Sequence, residues 1–455
     1  MLQSILKIKY YNFKYLTMKN HFFSRPLIAI ASLMLLTVSC NNDDDFTAPP
    51  AIKGEQQLKD TLTIGKTLQL SSKIADRNNV VFEWAVDGNV VGSDSTYTFK
   101  PETRGDFKIT MTAKNNGGKV SLTYDIHTFG AYENGFYMIN EGWFGHGTGT
   151  VGFYRYDTKA IEDSVFVKVN PDKNLKPESS TLEFGTIFNK KLFLVSKVGG
   201  PVVVADAYSL KEEKRIPAQG GNDWRAVVGI DENQALLTSS KGIFKLNLNT
   251  MTLNGQIEGV TGQVGDIVKA NGYIFALSSS KGVIVINAST LVVEKTIPSM
   301  VLGFAVTDDK KVWAAGGKKL ISIDSNTLEV KEIAIGFQAY GSWGAWHPGS
   351  IVAAKNNVFI AKNGSFSGGK EIYKYNGDEA SLATPFITLT QSNILYGAGI
   401  GYDRKKNSLV VNTVNEGFGT NFAINNLYLF NADSGVKKET ISFSGYYFPA
   451  VSVFH

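Results

Sequence analysis

Val283-Ile-Val-Ile-Asn287 is one of seven versions of a single phrase, a run of strand-forming residues closed by Asn or Asp. The others are Phe153-Tyr-Arg-Tyr-Asp157, Val202-Val-Val-Ala-Asp206, Ile243-Phe-Lys-Leu-Asn247, Leu320-Ile-Ser-Ile-Asp324, Ile372-Tyr-Lys-Tyr-Asn376 and Leu427-Tyr-Leu-Phe-Asn431. The seven closing residues stand 49, 41, 40, 37, 52 and 55 residues apart. After each comes a turn and a further strand, and before most of them a two-strand hairpin such as Gly265-Asp-Ile-Val-Lys-Ala-Asn-Gly-Tyr-Ile-Phe-Ala-Leu277. Four strands recurring at this period suit blades packed around a ring, because one such unit cannot bury its own apolar face. The chain is therefore expected to be all-β, with a seven-bladed β-propeller over residues 130–455. The first unit lacks an inner strand, since Gly135-Phe-Tyr-Met-Ile139 begins at the second position of the hairpin. The chain end, Pro449-Ala-Val-Ser-Val-Phe454, has the pattern of the missing strand (compare Arg225-Ala-Val-Val-Gly-Ile230). It is expected to enter blade 1 and remove the open sheet edge.

Residues 51–128 alternate apolar and polar positions in short runs, among them Val80-Val-Phe-Glu-Trp84, Tyr97-Thr-Phe99 and Phe107-Lys-Ile-Thr-Met-Thr-Ala113. Asp87-Gly88 and Asn115-Asn-Gly-Gly118 supply turns between them. This is the pattern of a small β-sandwich. The run from Trp84-x-Val86-Asp87-Gly88 through Tyr97-x-Phe99 to Gly105-x-Phe107-x-Ile109-x-Met111-x-Ala113 resembles the PKD/Ig-like modules of bacterial surface proteins, with Trp84 as the core tryptophan.

Cys40 is the only cysteine, preceded by the apolar run Pro26-Leu-Ile-Ala-Ile-Ala-Ser-Leu-Met-Leu-Leu-Thr-Val-Ser39 and followed by Asn41-Asn42-Asp43-Asp44-Asp45. With Lys19 and Arg25 ahead of it, the run reads as a leader too short to span a membrane. Its junction resembles the lipobox of bacterial lipoproteins, and the acidic cluster resembles a surface-export signal of one phylum of outer-membraned anaerobes. The resemblance implies a signal peptide over residues 1–39 and a lipidated Cys40. An acidic, Pro-ended tether over 40–50 would follow, on a protein anchored in the outer membrane and exposed at the surface. An ordinary secretory signal is the plainer alternative. Met18-Lys19-Asn20 opens a more conventional leader, so residues 1–17 read as an upstream start. Residues 1–40 carry Lys7, Lys9, Lys14, Lys19 and Arg25 and no acid, which leaves 46 − 5 = 41 basic against 41 acidic residues beyond them. The apparent basicity belongs to the leader, and no nucleic-acid partner follows from it. With no cysteine after position 40, the folded part is expected to hold by burial without disulfides.

The two faces of the ring are decorated differently. Turns joining first to second and third to fourth strands are polar, as in Asn189-Lys-Lys191, Asp308-Asp-Lys-Lys311 and Asp403-Arg-Lys-Lys-Asn407. Loops on the opposite, top face hold Trp143, Phe144, Trp224, Tyr340, Trp343, Trp346, Phe366, Tyr396, Phe418, Phe422, Tyr446 and Tyr447. Large aromatics in loops that should face water point to a recognition surface, while about half of them are expected to pack between blades. Asn140-Glu141-Gly142-Trp143-Phe144-Gly145 is echoed by Asn415-Glu416-Gly417-Phe418-Gly419 and more loosely by Lys362-Asn363-Gly364-Ser365-Phe366. The linker Gly341-Ser-Trp343-Gly-Ala-Trp346-His347-Pro348 adds two tryptophans. The expected binding face lies over blades five, six, seven and one. Its contacts are Asn140, Trp143, Phe144, Trp224, Arg225, Trp343, Trp346, Phe366, Asn415, Phe418, Tyr446 and Tyr447. A structural role for the Asn-Glu-Gly turns, with Glu141 and Glu416 accepting backbone amides, is equally open.

The repeat register and the Asn-Glu-Gly-aromatic-x-Gly start resemble the YncE-like, surface-layer-type propellers, over residues 130–455. Some of those relatives are surface lipoproteins that work beside TonB-dependent transporters and capture cobalamin or other corrinoids. The resemblance implies a non-enzymatic protein that captures a small-molecule nutrient for an outer-membrane transporter. A corrinoid is the first guess, although no corrinoid-specific motif can be matched. The alternative is an adhesion or scaffolding module for a glycan or protein partner. Enzyme readings are weaker: Gly-x-Ser-x-Gly, HExxH and P-loop motifs are missing, and His146 and His347 are the only histidines in the top-face loops. No cofactor and no metal site are expected, although Glu141, Glu183, Asp266 and Glu416 would have to converge if the ring were a calcium-dependent lactonase.

Overall fold

The structure, a computed structural model, describes residues 47–54, 57–339, 350–364, 369–390, 392–417 and 419–455. Cys40 with its leader, Tyr340, Trp343, Trp346, His347, Phe366 and Phe418 lie outside the described residues. Among these residues no helix is long and apolar enough to cross a membrane.

The first domain is a sandwich. One sheet holds Lys59–Thr63, Gly118–Phe129, Gly105–Asn115, Val81–Val86 and Asn89–Gly92 in that order; the other pairs Leu68–Ser71 with Thr96–Phe99. Period-two alternation sends Ile109, Met111 and Ala113 to one face, where Trp84 is fully buried. The Trp84 indole donates to the Asp94 carbonyl at 2.8 Å, and the Tyr124 hydroxyl donates to the Ser71 carbonyl at 3.2 Å, tying the two sheets together.

Seven four-stranded sheets follow. Their inner strands run in ring order as Pro449–Phe454, Leu182–Phe188, Trp224–Gly229, Val264–Ala270, Leu302–Val306, Ile351–Ala354 and Asn393–Asp403. The recurrent Asp and Asn residues have a local physical reason. Five of them end the third strand of their blade, Asn376 and Asp157 stand one and two residues beyond it, and the side-chain oxygen accepts backbone amides of the turn. Asp206 takes those of Tyr208 and Ser209, Asn287 those of Ser289 and Thr290, Asp324 those of Asn326 and Thr327, and Asn431 those of Asp433 and Ser434. Four residues after the anchor the backbone turns left-handed, at Leu210, Leu291, Leu328 and Gly435, and the fourth strand begins.

Each blade is apolar on both faces and shares its core with its neighbours. Val203, Leu194 and Phe153 pack between blades 1 and 2, Leu320 and Ile360 between blades 5 and 6, and Leu409 and Phe359 between blades 6 and 7. The ring closes where Pro449–Phe454 pairs antiparallel with Gly135–Asn140, so the chain end supplies the inner strand of the first blade. This last seam has a small core of Phe136, Met138, Tyr154, Val410 and Leu427. Hydrogen bonds across it, from the Tyr154 hydroxyl to Glu439 at 3.1 Å and from the Tyr156 hydroxyl to Asp403 at 2.7 Å, add to the closure. The two domains meet at Arg104, which pairs with Glu133 and lies 3.7 Å over the Tyr208 ring. His455 stacks on the same ring at 5.4 Å, so the chain terminus sits in that junction.

Removing residues 446–455 opens blade 1 to an unpaired edge and strips Phe454 from Phe136. The cooperative thermal transition of the propeller, followed by circular dichroism, should be lost. A truncated chain that melts like the full one would refute this account of closure.

Candidate functional site

The top face gathers its aromatics at the seam between blades 7 and 1. Asn140 ends the second strand of blade 1, and the chain then turns through Gly142, whose φ is +79° and whose absent Cβ would lie 2.6 Å from the Thr148 carbonyl. Only glycine fits that turn. The amides of Glu141 and Gly142 donate to the carbonyls of Phe448 and Tyr447, both at 2.8 Å. The closing loop of the ring is thereby stitched to the Asn-Glu-Gly turn. Trp143 emerges 40% exposed, stacked between His146 at 4.0 Å and Tyr446 at 4.5 Å. Tyr446 continues onto Phe448 at 6.5 Å, and Phe448 contacts Tyr396 at 5.2 Å and Phe422 at 5.6 Å. Phe144 stands beside the row, 54% exposed. Tyr447 turns the other way, against Phe443 at 5.5 Å, and burial with the neighbouring Asp163 pushes its phenol up to about 12.

Beneath the row lies a buried charge cluster. Lys197 is 4% exposed along its side chain, 2.5 Å from Glu141 and 3.1 Å from Glu183. The Tyr396 hydroxyl donates to the second oxygen of Glu141 at 2.8 Å, and Thr181 lies 3.4 Å from the first. Burial works to lower the ammonium's pKa, but the two carboxylates outweigh it and hold it above the ordinary lysine value.

Several expected contacts fall elsewhere. Trp224 is 5% exposed and packs edge-on against Phe244 at 5.7 Å inside the core between blades 2 and 3, so it is a packing residue there. Arg225 is 1% exposed and forks onto both oxygens of Asp223, at 2.6 and 3.0 Å; its guanidinium is engaged within the protein. Asn140 is buried and donates to the Thr150 hydroxyl at 3.2 Å. Asn415 ends the second strand of blade 7, half-buried and in register with Asn393. The echo between the two Asn-Glu-Gly turns is positional only. Glu141 is buried on Lys197, whereas Glu416 is exposed and pairs with Lys370 at 2.8 Å. Glu141, Glu183, Asp266 and Glu416 therefore do not converge, and among the described residues no group of His, Asp or Glu is arranged to hold a metal.

One participant, Lys197, was not singled out by the sequence, and Asp266 was named there only as one of four acids. Lys197 follows the second strand of blade 2, where the corresponding strands of blades 3, 4 and 5 are followed by Ser240, Ser279 and Gly317. Blade 6 has Lys362 at the same place, paired with Glu371 and half-exposed, so position alone does not mark Lys197 and only its burial between Glu141 and Glu183 does. Asp266 belongs to a second pattern: Glu183, Arg225 and Asp266 each sit where the register of an inner strand shifts, in blades 2, 3 and 4. A bulge re-aims a side chain: Asp266 lines the central channel, whereas Glu183 meets Lys197 and Arg225 meets Asp223. Neither the central channel nor the groove of about 570 Å3 over blades 2 and 3, lined by Pro177, Gly199, Gln219 and Lys241, includes any aromatic of the row. On the opposite face a groove of about 420 Å3 carries Lys191 and Lys214, but Lys191 pairs with Glu213 and Lys214 caps the carbonyls of Leu248 and Asn249.

Fold and site together define a seven-bladed propeller carrying a PKD-like module and an aromatic, charge-backed top face. The chain belongs to the family described as a domain of unknown function, DUF5074, whose model matches residues 134–455, and a PKD-like domain matches residues 49–115. Among curated proteins none matches. A quinonprotein alcohol dehydrogenase-like protein from Bacteroides thetaiotaomicron superposes with a TM-score of 0.59 at 18% identity, covering 89% of this chain and 99% of that one. That likeness is one of fold. The extracellular domain of a putative one-component system from B. thetaiotaomicron aligns at a TM-score of 0.44 and 12% identity, over 59% of this chain and 35% of its own.

Replacing Lys197 with Met leaves Glu141 and Glu183 buried without their ammonium. The loss should be about 3–5 kcal/mol of stability by denaturant unfolding, against a much smaller change for a surface lysine such as Lys319. A second outcome follows from Asp266, whose carboxyl is pushed up to about 7 by burial against the opposing amides of Ile267 and Phe304. An unfolded aspartate titrates near 4, so from about pH 4 to 7 the unfolded chain sheds this proton first and stability falls as pH rises. Above that window both states are ionised and the loss is complete. Asp266→Asn should remove this component of the slope in a series of melts across the window.

Proposed function

We propose that the protein is a non-enzymatic capture module whose top face, at the seam of blades 7 and 1, binds a planar amphipathic small molecule. The observation that carries this reading is Trp143, exposed yet braced between His146 and Tyr446. A rigid, half-exposed indole presents contact area with little rotamer freedom left to lose, which is what a stacking platform needs. The buried Glu141–Lys197–Glu183 cluster fixes the backbone from which the indole projects. Lipidated at Cys40 and held on an acidic tether at the outer-membrane surface, such a module would pass its ligand to a TonB-dependent transporter. A corrinoid, cobalamin first, is the ligand to test.

One observation favours a second reading, an adhesion module for a glycan or protein. The row lies along a seam and lines neither the channel nor the top groove, and Phe144, next to Trp143 in the chain, is exposed as well. A spread row of this kind suits a flat partner as well as a flat ligand.

Isothermal titration of the chain from residue 41 against cobalamin, cobinamide, haem and a glycan panel separates the two. For whichever ligand gives heat, Trp143→Ala should weaken binding about tenfold or more, as loss of an aromatic hot spot does, with the melting temperature unchanged. Unaltered affinity removes the platform from this seam.

A further inference from the structure

The central channel carries chemistry that the top face does not use. It holds about 830 Å3 and is walled by the inner strands of all seven blades. The wall is mostly hydrocarbon and aromatic, with Val228, Val268, Phe304, Val352, Tyr402 and Phe454 around it, and Thr186, Ser452, Asn271, Lys269 and Arg404 are its other polar groups. One ionisable side chain opens into it deep inside, Asp266, 7% exposed. Its carboxylate accepts the Ile267 amide at 2.9 Å and that of Phe304, and among the described residues no cation pairs with it. The charged groups on the surrounding strands have other commitments. Arg225 of blade 3 is forked onto Asp223, Glu183 of blade 2 sits on Lys197, and Lys269, on Asp266's own strand, reaches the Ile230 carbonyl at 2.6 Å. At the lower mouth Arg404 pairs with Asp308. Burial alone therefore moves the Asp266 carboxyl upward.

A carboxylate set in apolar walls without a counter-charge is costly, because the Coulomb energy that could offset its desolvation has no partner. Blade 4 nonetheless spends a β-bulge on aiming Asp266 into the cavity, where a valine would pack. The missing element is a monovalent cation with a hydrocarbon body. A metal ion does not fit this description, since hard divalent cations need several oxygens and the wall supplies one carboxylate. We infer that the channel is a second ligand site, taking a small organic ammonium ion with its head on Asp266 and its apolar part along Val228, Val268 and Val352. Asp266 stands four residues above the end of its strand at Ala270, a depth of about 13 Å at the rise of a β-strand. The occupant is therefore a compact or rod-like amine that reaches inward from the lower face, independent of what the top face binds.

The test titrates the purified full chain with phenethylammonium and with 2-phenylethanol, which has a similar shape and no charge. The amine should bind, the alcohol about tenfold or more weaker, and Asp266→Asn should lose the amine preference by a similar factor, as expected for a charge pair out of water. Because Asp266 titrates near 7 when the site is empty, amine binding at neutral pH should release protons, read as heat that changes with the buffer's ionisation enthalpy. Affinity should fall as pH drops below that value. The second variant, Val268→Phe, fills the channel without touching the charge and should abolish amine binding while proton uptake by Asp266 persists. Equal binding of amine and alcohol, undiminished amine binding in Asp266→Asn, or no binding up to about 10 mM, below the affinity such a pair should reach, would each overturn the assignment.

Discussion

Everything in the propeller depends on the antiparallel pairing of the last strand, Pro449–Phe454, with Gly135–Asn140. No blade owns its core: the apolar clusters lie between successive blades, so each blade is stable only when both neighbours are present. Opening the ring anywhere would therefore expose two apolar faces and an unpaired edge. At the seam between blades 7 and 1 the apolar core is joined by tyrosine-to-carboxylate hydrogen bonds. Burial and those carboxylates raise the Tyr154 and Tyr156 phenols, which keeps them protonated as donors.

Closure also builds the candidate site. The loop at Tyr446–Phe448 leads into the closing strand, and its carbonyls accept the amides of Glu141 and Gly142. The aromatic row and the ring's closing seam are consequently one piece of structure. A ligand resting on Trp143 and Tyr446 would bridge blades 7 and 1 and, by binding the closed ring alone, would stabilise it. The buried charges are placed with the same economy. Glu141, Glu183 and Lys197 compensate one another across blades 1 and 2, whereas Asp266, from an equivalent bulge, is left facing the channel.

The fold was legible because its information is local. Asp206, Asn287, Asp324 and Asn431 close their turns with their own side-chain oxygens, so the repeat survives in the sequence even where the rest of each blade has diverged. The missing inner strand of blade 1 and the surplus strand at the chain end could likewise be matched by pattern. The site was legible in part. That the loops of Trp143, Phe144 and Tyr446 share a face followed from blade register, but that Tyr447 would turn away onto Phe443 did not. That Trp224 would be core and Arg225 already engaged did not, because both adjoin a bulge that reverses which way a side chain points.

The sequence by itself determined the repeat, the number of blades, the sandwich that precedes them and which loops share a face, since these rest on short-range periodicity and turn chemistry. Only the tertiary structure decided which charges meet. Glu141 lies 56 residues from Lys197 and 255 from Tyr396, and two identical Asn-Glu-Gly turns differ because one meets a buried lysine and the other a half-exposed one. Electrostatic pairing depends on distance in space and on burial, neither of which a strand pattern records, and so the function of the charges could be assigned only once the ring had closed.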